Sequence, residues 1–288
     1  MSASPRAPDH VLVGDFTRRS QSNFYYSFLF LPTGQRRAIE AVYAFCRSID
    51  DAVDGAASPE AARAELAWWR RELAACFGEG APSHAITRDL ASQVKRFDLT
   101  REPLEEVIRG VEMDLTRNRY ATFEELALYC RRVASAVGHS CIEIFGSRGD
   151  DARRYATTLG LAFQMTNIIR DFRADARRGR IYTPRDEMDR FGYSEEEALA
   201  GLPGVRFVNL MQFQCGRARD LFEQASSQMP RGERAKLMAA EIMGATYRRL
   251  LEKIARRPEA VLEGRVALSR PRRMVVAAAA FARARLRA

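Results

Sequence analysis

The stretch LGLAFQMTNIIRDFRADARRGRIYTP, residues 159–184, carries two messages at once. Leu159, Leu161, Phe163, Met165, Ile168, Ile169 and Phe172 cover most of the circumference of a helix, and a helix apolar nearly all round is a buried one. Gln164, Asn167, Asp171 and Asp175 recur every three or four residues, so they form a polar stripe three turns long on a single face. A buried helix cannot leave amides and acids without partners. The stretch therefore predicts a central helix in a helical domain, with one face turned toward something that binds oxygen ligands.

Working outward, nearly every segment has helical and not strand periodicity. The spacing predicts helices near 35–54, 60–77, 84–97, 101–117, 123–146, 150–174, 205–228, 231–256 and 270–287. Glycine and proline clusters separate them, among them Pro32 with Gly34, Gly78 to Pro82, the stretch 176–184, and Gly201 to Gly204. Ser58 before Pro59 fits an N-cap followed by proline in the first turn. Thr122 with Glu125 fits a capping box. No alternating run supports a sheet. The reading is one all-α domain over 1–288, with 1–18 as a flexible N-terminal extension.

A second acidic stripe lies in CRSIDDAVDG, residues 46–55. Asp50 and Asp54 are one turn apart and share a face with Arg47. Alone, the pair reads as a solvated helix face salt-bridged to Arg47. Beside the stripe at 164–175 the odds change. Oxygen-only ligands on two helices suit a hard divalent cation, Mg²⁺ first and Mn²⁺ as its substitute. Mg²⁺ takes one or two carboxylates and fills its remaining positions with water and substrate phosphate. Two such stripes would grip a diphosphate through metal. The competing account is a buried acid–arginine network of Arg47, Arg170 and Arg173. Arg177, Arg178 and Arg180 around Gly179 supply a basic flap for diphosphate oxygens.

Composition narrows the rest. The 288 residues carry a formal charge of +9, with 47% hydrophobic and 29% charged residues, which suits a folded domain with a sizeable core. Lysine occurs only at 95, 236 and 253, leaving 43 arginines, so the basicity is largely a bias toward arginine. No basic run with interleaved aromatics points to nucleic acid. The five scattered cysteines, without a CxxC, indicate free and mostly buried thiols in a reducing cytoplasm. No signal peptide is visible, and the longest apolar run, MVVAAAAFA at 274–282, is too short to span a bilayer. The basic segment 270–288 reads as a core helix with exposed arginines, with peripheral contact on anionic lipid at the inner membrane as its alternative.

The same residues resemble the squalene/phytoene synthase family of head-to-head prenyltransferases over almost the whole chain. FYYSFLFLP (24–32) is similar to its N-terminal aromatic segment, AVYAFCRSIDDAVD (41–54) to its first aspartate motif, and 159–184 to its second motif and flap; GVEMDL (110–115) and YCRRVASAVG (129–138) are further landmarks. The resemblance implies an isoprenoid-synthase helical bundle around an apolar cavity. It implies Asp50, Asp54, Asp171, Asp175 and Asn167 as metal-associated residues, and Arg47, Gln164, Asn167, Tyr247, Arg265 and Phe24 as substrate-binding residues. Tyr129 joins the four aspartates as a catalytic group, second to bound diphosphate as the proton acceptor. Phe24, Leu29, Val42, Phe45, Val133, Val137, Leu161 and Met165 are expected to line a tunnel. Departures from the family pattern are Ala174 for a common acid, Arg173 for a small residue, and SQSNF (20–24) for a serine-rich stretch.

Within the family the chain looks most like the branch making presqualene diphosphate for bacterial hopanoids. The implied substrate is two molecules of farnesyl diphosphate. One loses diphosphate with Mg²⁺ assistance, the double bond of the second attacks the allylic cation, and proton loss closes a cyclopropane. No NADPH is expected, and downstream squalene-pathway enzymes are the implied partners. The nearest alternative is a phytoene synthase condensing two geranylgeranyl diphosphates. An alternative of another class is a noncatalytic prenyl-lipid-binding or assembly protein.

Overall fold

The computed structural model describes Phe28 and residues 30–286. Helix α1 (Thr33–Asp54) is followed by α2 (Pro59–Cys76), α3 (Ala85–Phe97) and α4 (Arg101–Met113). Next come α5 (Phe123–Cys130), a π-helical turn (Arg131–Ser135) and α6 (Ala136–Ile144). The long α7 (Asp150–Arg177) leads to two short helices, α8 (Arg185–Phe191) and α9 (Glu195–Ala200). The chain then runs through α10 (Val205–Ser227), α11 (Met238–Arg256), α12 (Ala260–Glu263) and α13 (Arg270–Leu286). Among the described residues there is no strand, and none of these helices is long and apolar enough to cross a membrane.

Local chemistry fixes many boundaries. Ser58 Oγ accepts from Ala61 N at 3.2 Å, with Pro59 in the first turn, as the sequence predicts. The box expected at Thr122 is half formed: Thr122 Oγ1 accepts from Glu125 N, but the Glu125 carboxylate accepts from Ala121 N at 3.0 Å. A complete box occurs instead at Ser194 and Glu197, opening α9 within a stretch the periodicity left unassigned. Residues 231–237 form turns, so α11 begins later than its hydrophobic pattern suggests.

Two helical groups meet at the cavity. α1 packs on α2, α3, α4 and α6, whereas α7 packs on α6, α10, α11 and α12. α6 and the π turn touch both groups and close one side. The segment expected as one helix over 123–146 is thus interrupted by an inserted residue, a feature that often marks functional sites. Two glycines permit the close packing around it. A Cβ on Gly110 would come within 2.7 Å of Arg132 and Val133 side-chain atoms, and one on Gly160 within 2.6 Å of Ser135 Cα. Fully buried Ile49, Leu66, Leu73, Leu104, Ile108 and Leu126 belong to one continuous core, each contributing about 1.5–3 kcal/mol relative to exposure. Three expected tunnel residues, Phe45, Leu161 and Met165, are buried in this core and not on the cavity wall; Phe45 packs edge-on against Trp69.

Candidate active site

The cavity between α1 and α7 measures about 400 Å³, within the size range of small-molecule sites. Its polar end gathers both acidic stripes. Asp50 and Asp54 come from α1, and Gln164, Asn167, Asp171 and Asp175 from α7. Val42, Val133 and Val137 line the apolar part, as predicted. Arg47, Tyr129 and Arg265 also border the cavity. Phe24 and Leu29 lie outside the described residues.

Asp51, to which the sequence reading gave no ligand role, is the partner of Arg47, at 2.7 Å on the exposed side of α1. That leaves Asp50 turned inward without the salt bridge expected from Arg47. Burial, reinforced by the charges of Asp54 and Asp114 and opposed by Arg47, pushes the Asp50 carboxyl up to about 7. Asp175 is likewise pushed up to about 7 by burial and by Asp171, against Arg180 and Arg178. Carboxyls this far above their ordinary range mark a desolvated pocket in which neighbouring acids add to the cost of ionisation.

Part of that charge is met by arginine. Arg178 Nη1 lies 2.8 Å from Asp54 Oδ2, and Arg180 Nη1 lies 2.7 Å from Asp54 Oδ1. The loop bearing them is fixed by backbone hydrogen bonds to the segment after α4: Ile181 N donates to Asn118 O at 3.1 Å and Arg185 N to Tyr120 O at 2.9 Å. Gly179, at φ +76°, supplies the left-handed turn between the two arginines. On α7, Arg170 Nε donates to Asp171 Oδ1 at 2.8 Å, and Arg265 Nε approaches the same oxygen at 3.6 Å. Arg173 turns away from the acids and donates to Leu199 O at 2.8 Å, tying α7 to α9. The buried-network account is therefore correct for Arg170 and incorrect for Arg47 and Arg173.

Tyr247 is a correction of position. It does not line the cavity; it is buried, and Arg170 and Asn167, which do line it, act on its hydroxyl. It holds the two side chains that face the cavity.

Asp114 and Tyr182 are the residues that sequence reasoning missed. Asp114 follows α4 inside the landmark GVEMDL, and Tyr182 follows the basic flap. Tyr129 Oη donates to Asp114 Oδ2 at 3.1 Å and Tyr182 Oη donates to Asp114 Oδ1 at 2.9 Å, with the two hydroxyls 3.3 Å apart. The tyrosine rings stack at 5.1 Å. Burial, with nearby Tyr182 and Asp114, raises the Tyr129 hydroxyl well above its ordinary value, so it remains protonated and acts as a donor. The available signal was an acid in a turn following an apolar helix, which alone is too common to single out.

The donor set suits a hard cation. All candidates are oxygen ligands, and Asn167 Oδ1 is buried at the cavity with no hydrogen-bond partner among the described residues. Such an orphaned acceptor is costly unless something positive meets it. Among the described residues no three acidic, histidine or cysteine side chains gather closely enough to hold a metal by themselves. The five proposed ligands instead stand on facing walls, an arrangement that leaves coordination positions for water and phosphate.

A family model described as squalene/phytoene synthase matches residues 17–272. The chain belongs to that family. It is a prenyltransferase enzyme of the squalene/phytoene synthase type, catalysing head-to-head prenyl condensation, which sets aside the noncatalytic alternative. It is 40% identical over 221 residues to a 15-cis-phytoene synthase of Synechococcus elongatus, covering 73% of this chain and 71% of the relative. It is 37% identical to a phytoene synthase of Mycobacterium bovis over 92% of this chain and 88% of the relative. Its fold matches a dehydrosqualene synthase at a TM-score of 0.87 with 24% identity, covering 96% and 97% of the two chains. It also matches squalene synthase HpnC from Alicyclobacillus acidocaldarius at 0.77 with 28% identity, covering 87% and 94%.

Proposed function

We propose that this enzyme condenses two molecules of geranylgeranyl diphosphate to phytoene, with release of both diphosphates and two protons, the first of each on ring closure and the second as the cyclopropyl diphosphate rearranges. The observation carrying this choice is the 37% identity to a phytoene synthase across 92% of the chain. The squalene synthase match at 28% supports the farnesyl reading less strongly. The choice reverses the preference for presqualene diphosphate drawn from local motifs, which are common to both branches.

Asp50, Asp54, Asn167, Asp171 and Asp175 would hold Mg²⁺, which when bound neutralises the leaving diphosphate as a Lewis acid. The arginines of the loop after α7 share that work. Arg178 and Arg180 are engaged with Asp54 in the free enzyme and are within the cavity lining, so their guanidinium groups can transfer to diphosphate oxygens. Arg47 and Arg265 widen the positive rim. The Tyr129–Asp114–Tyr182 cluster holds a hydroxyl donor at the boundary between polar and apolar zones. Because that hydroxyl stays protonated, bound diphosphate is the better acceptor for the proton lost on ring closure. Val42, Val133, Val137, Leu159 and Phe163 exclude water from the carbocation.

The test is incubation of the purified enzyme with Mg²⁺ and radiolabelled geranylgeranyl or farnesyl diphosphate, followed by chromatography of the products. Phytoene from the C20 substrate is expected. Product formed only from the C15 substrate would overturn the assignment.

A further inference from the structure

A second pocket, of about 230 Å³, opens between α10, α11 and α13, on the side of the molecule served by Ser226, Arg234, Glu241 and Arg248. Three residues line both this pocket and the reaction cavity: Tyr155 and Leu159 on α7, and Ala240 on α11. They form the partition between the two spaces. We propose that Tyr155, with Leu159 and Ala240, is the end wall of the prenyl-chain cavity and sets the length of chain the enzyme accepts. This rests on the prenyltransferase assignment and concerns the end of the substrate farthest from the acids.

The dimensions agree. Tyr155 precedes Asp171 by sixteen positions on one continuous helix, a separation of about 24 Å at 1.5 Å per residue. An extended chain advances about 1.2 Å per bond, the figure implied by peptide reach. By the same scale a geranylgeranyl chain spans about 18 Å and a farnesyl chain about 13 Å. The diphosphate group among the acids would take up the remaining ~6 Å of that span, so the tail of a C20 chain would reach Tyr155 and a C15 chain would stop one isoprene unit short.

The materials of the wall suit this role. Tyr155 is buried, 3% exposed, and a rigid ring with few rotamers makes a sharper stop than a flexible side chain. Tyr155 borders both spaces, and the charges of Glu241, Arg248 and Arg234, which line the second pocket, act on its hydroxyl. Behind Leu159 stands Gly244, where an added Cβ would be in ordinary contact with Leu159 Cδ1 at 3.7 Å, and both residues border the second pocket. Removing the ring would join the two spaces.

The experiment measures kcat/KM for the C15, C20 and C25 allylic diphosphates with Mg²⁺ on full-length enzyme. Tyr155→Ala is expected to raise the C25-to-C20 ratio at least tenfold, and Tyr155→Phe, which keeps the ring, to hold the wild-type ratio. Ala240→Phe thickens the wall and is expected to lower the C20-to-C15 ratio at least tenfold. These ratios do not move with a simple loss of stability, and circular dichroism checks the fold of each variant. Folded Tyr155→Ala and Ala240→Phe enzymes with wild-type ratios would overturn the wall. If Tyr155→Ala fails to fold, Leu159→Ala and Ala240→Phe decide, with unchanged ratios counting against it. A wild-type enzyme that prefers C15 would instead overturn the substrate assignment, and the wall would then be read from the C20-to-C15 ratio in Tyr155→Ala.

Discussion

Arg180 Nη1 sits 2.7 Å from Asp54 Oδ1, joining the loop after α7 to the last turn of α1 across the mouth of the cavity. Arg178 takes the other oxygen of the same carboxylate. One acid of the first stripe is thus held by the flap that follows the second. A metal–diphosphate group bound there would offer the carboxylate and the two guanidinium groups each a new partner of opposite charge.

Arg180→Ala should lower kcat/KM by about a hundredfold, the scale for losing one preorganised donor to a developing anion. Arg178→Ala should cost less, because its side chain is 59% exposed against 16% for Arg180. Steady-state kinetics on both variants checks the order; equal effects would remove the distinction.

Asp114→Asn should lower kcat at least tenfold while leaving KM within a few-fold. The change keeps shape but removes the charge that both tyrosine hydroxyls address. Tyr129→Phe should act through the same cluster, so the double variant should lose much less than the product of the single losses. Additive losses would show that the two side chains act independently.

The stability of the metal-free enzyme should fall as pH rises. Asp50 and Asp175 are raised from 3.8 to about 7, so in the folded state they keep protons that the unfolded chain has released. Stability from this source is fully present below about pH 4 and is lost as pH rises through about 7. Thermal melts in EDTA from pH 5 to pH 8 should show the melting temperature descending. Asp50→Asn should raise it by about 2–3 °C at pH 8, equivalent to one or two kcal/mol for a chain this long. A pH-independent difference between Asp50→Asn and wild type would contradict the assignment.

Gly160→Ala should destabilise the protein by about 1–3 kcal/mol. Its Cβ would meet the backbone of the π turn at Ser135, which cannot move aside as a flexible side chain would. Denaturant unfolding measures the effect. An unchanged midpoint would show that α7 and the turn can separate without penalty.

The central part of this architecture was legible because it depends on helical spacing. The stripe from Gln164 to Asp175 and the pair Asp50–Asp54 each sit on one helix, and the structure brings both to one cavity. What depends on loops was less legible. Asp114, Tyr182 and the pairing of Arg180 with Asp54 arise from the anchoring of residues 181–185 on 118–120, which no periodicity records. The π turn reads as ordinary helix, since one inserted residue barely alters the apolar pattern. Tyr247 was recognised by resemblance, but its place behind Asn167 and Arg170 follows from packing. The choice between C15 and C20 lay beyond the motifs because the acids and arginines they supply gather at the polar end of the cavity, whereas the wall proposed to set chain length lies sixteen residues away on α7.

The most direct measurement is calorimetric titration of the enzyme with a nonreacting geranylgeranyl thiodiphosphate, with Mg²⁺ and with EDTA, on wild type and on Asp54→Ala and Asp171→Ala. Tight binding in Mg²⁺ that weakens at least a hundredfold in EDTA and in both variants is the predicted result. Equal affinity with and without Mg²⁺, unaffected by loss of either aspartate, would contradict the claim that the two facing stripes bind diphosphate through a divalent cation.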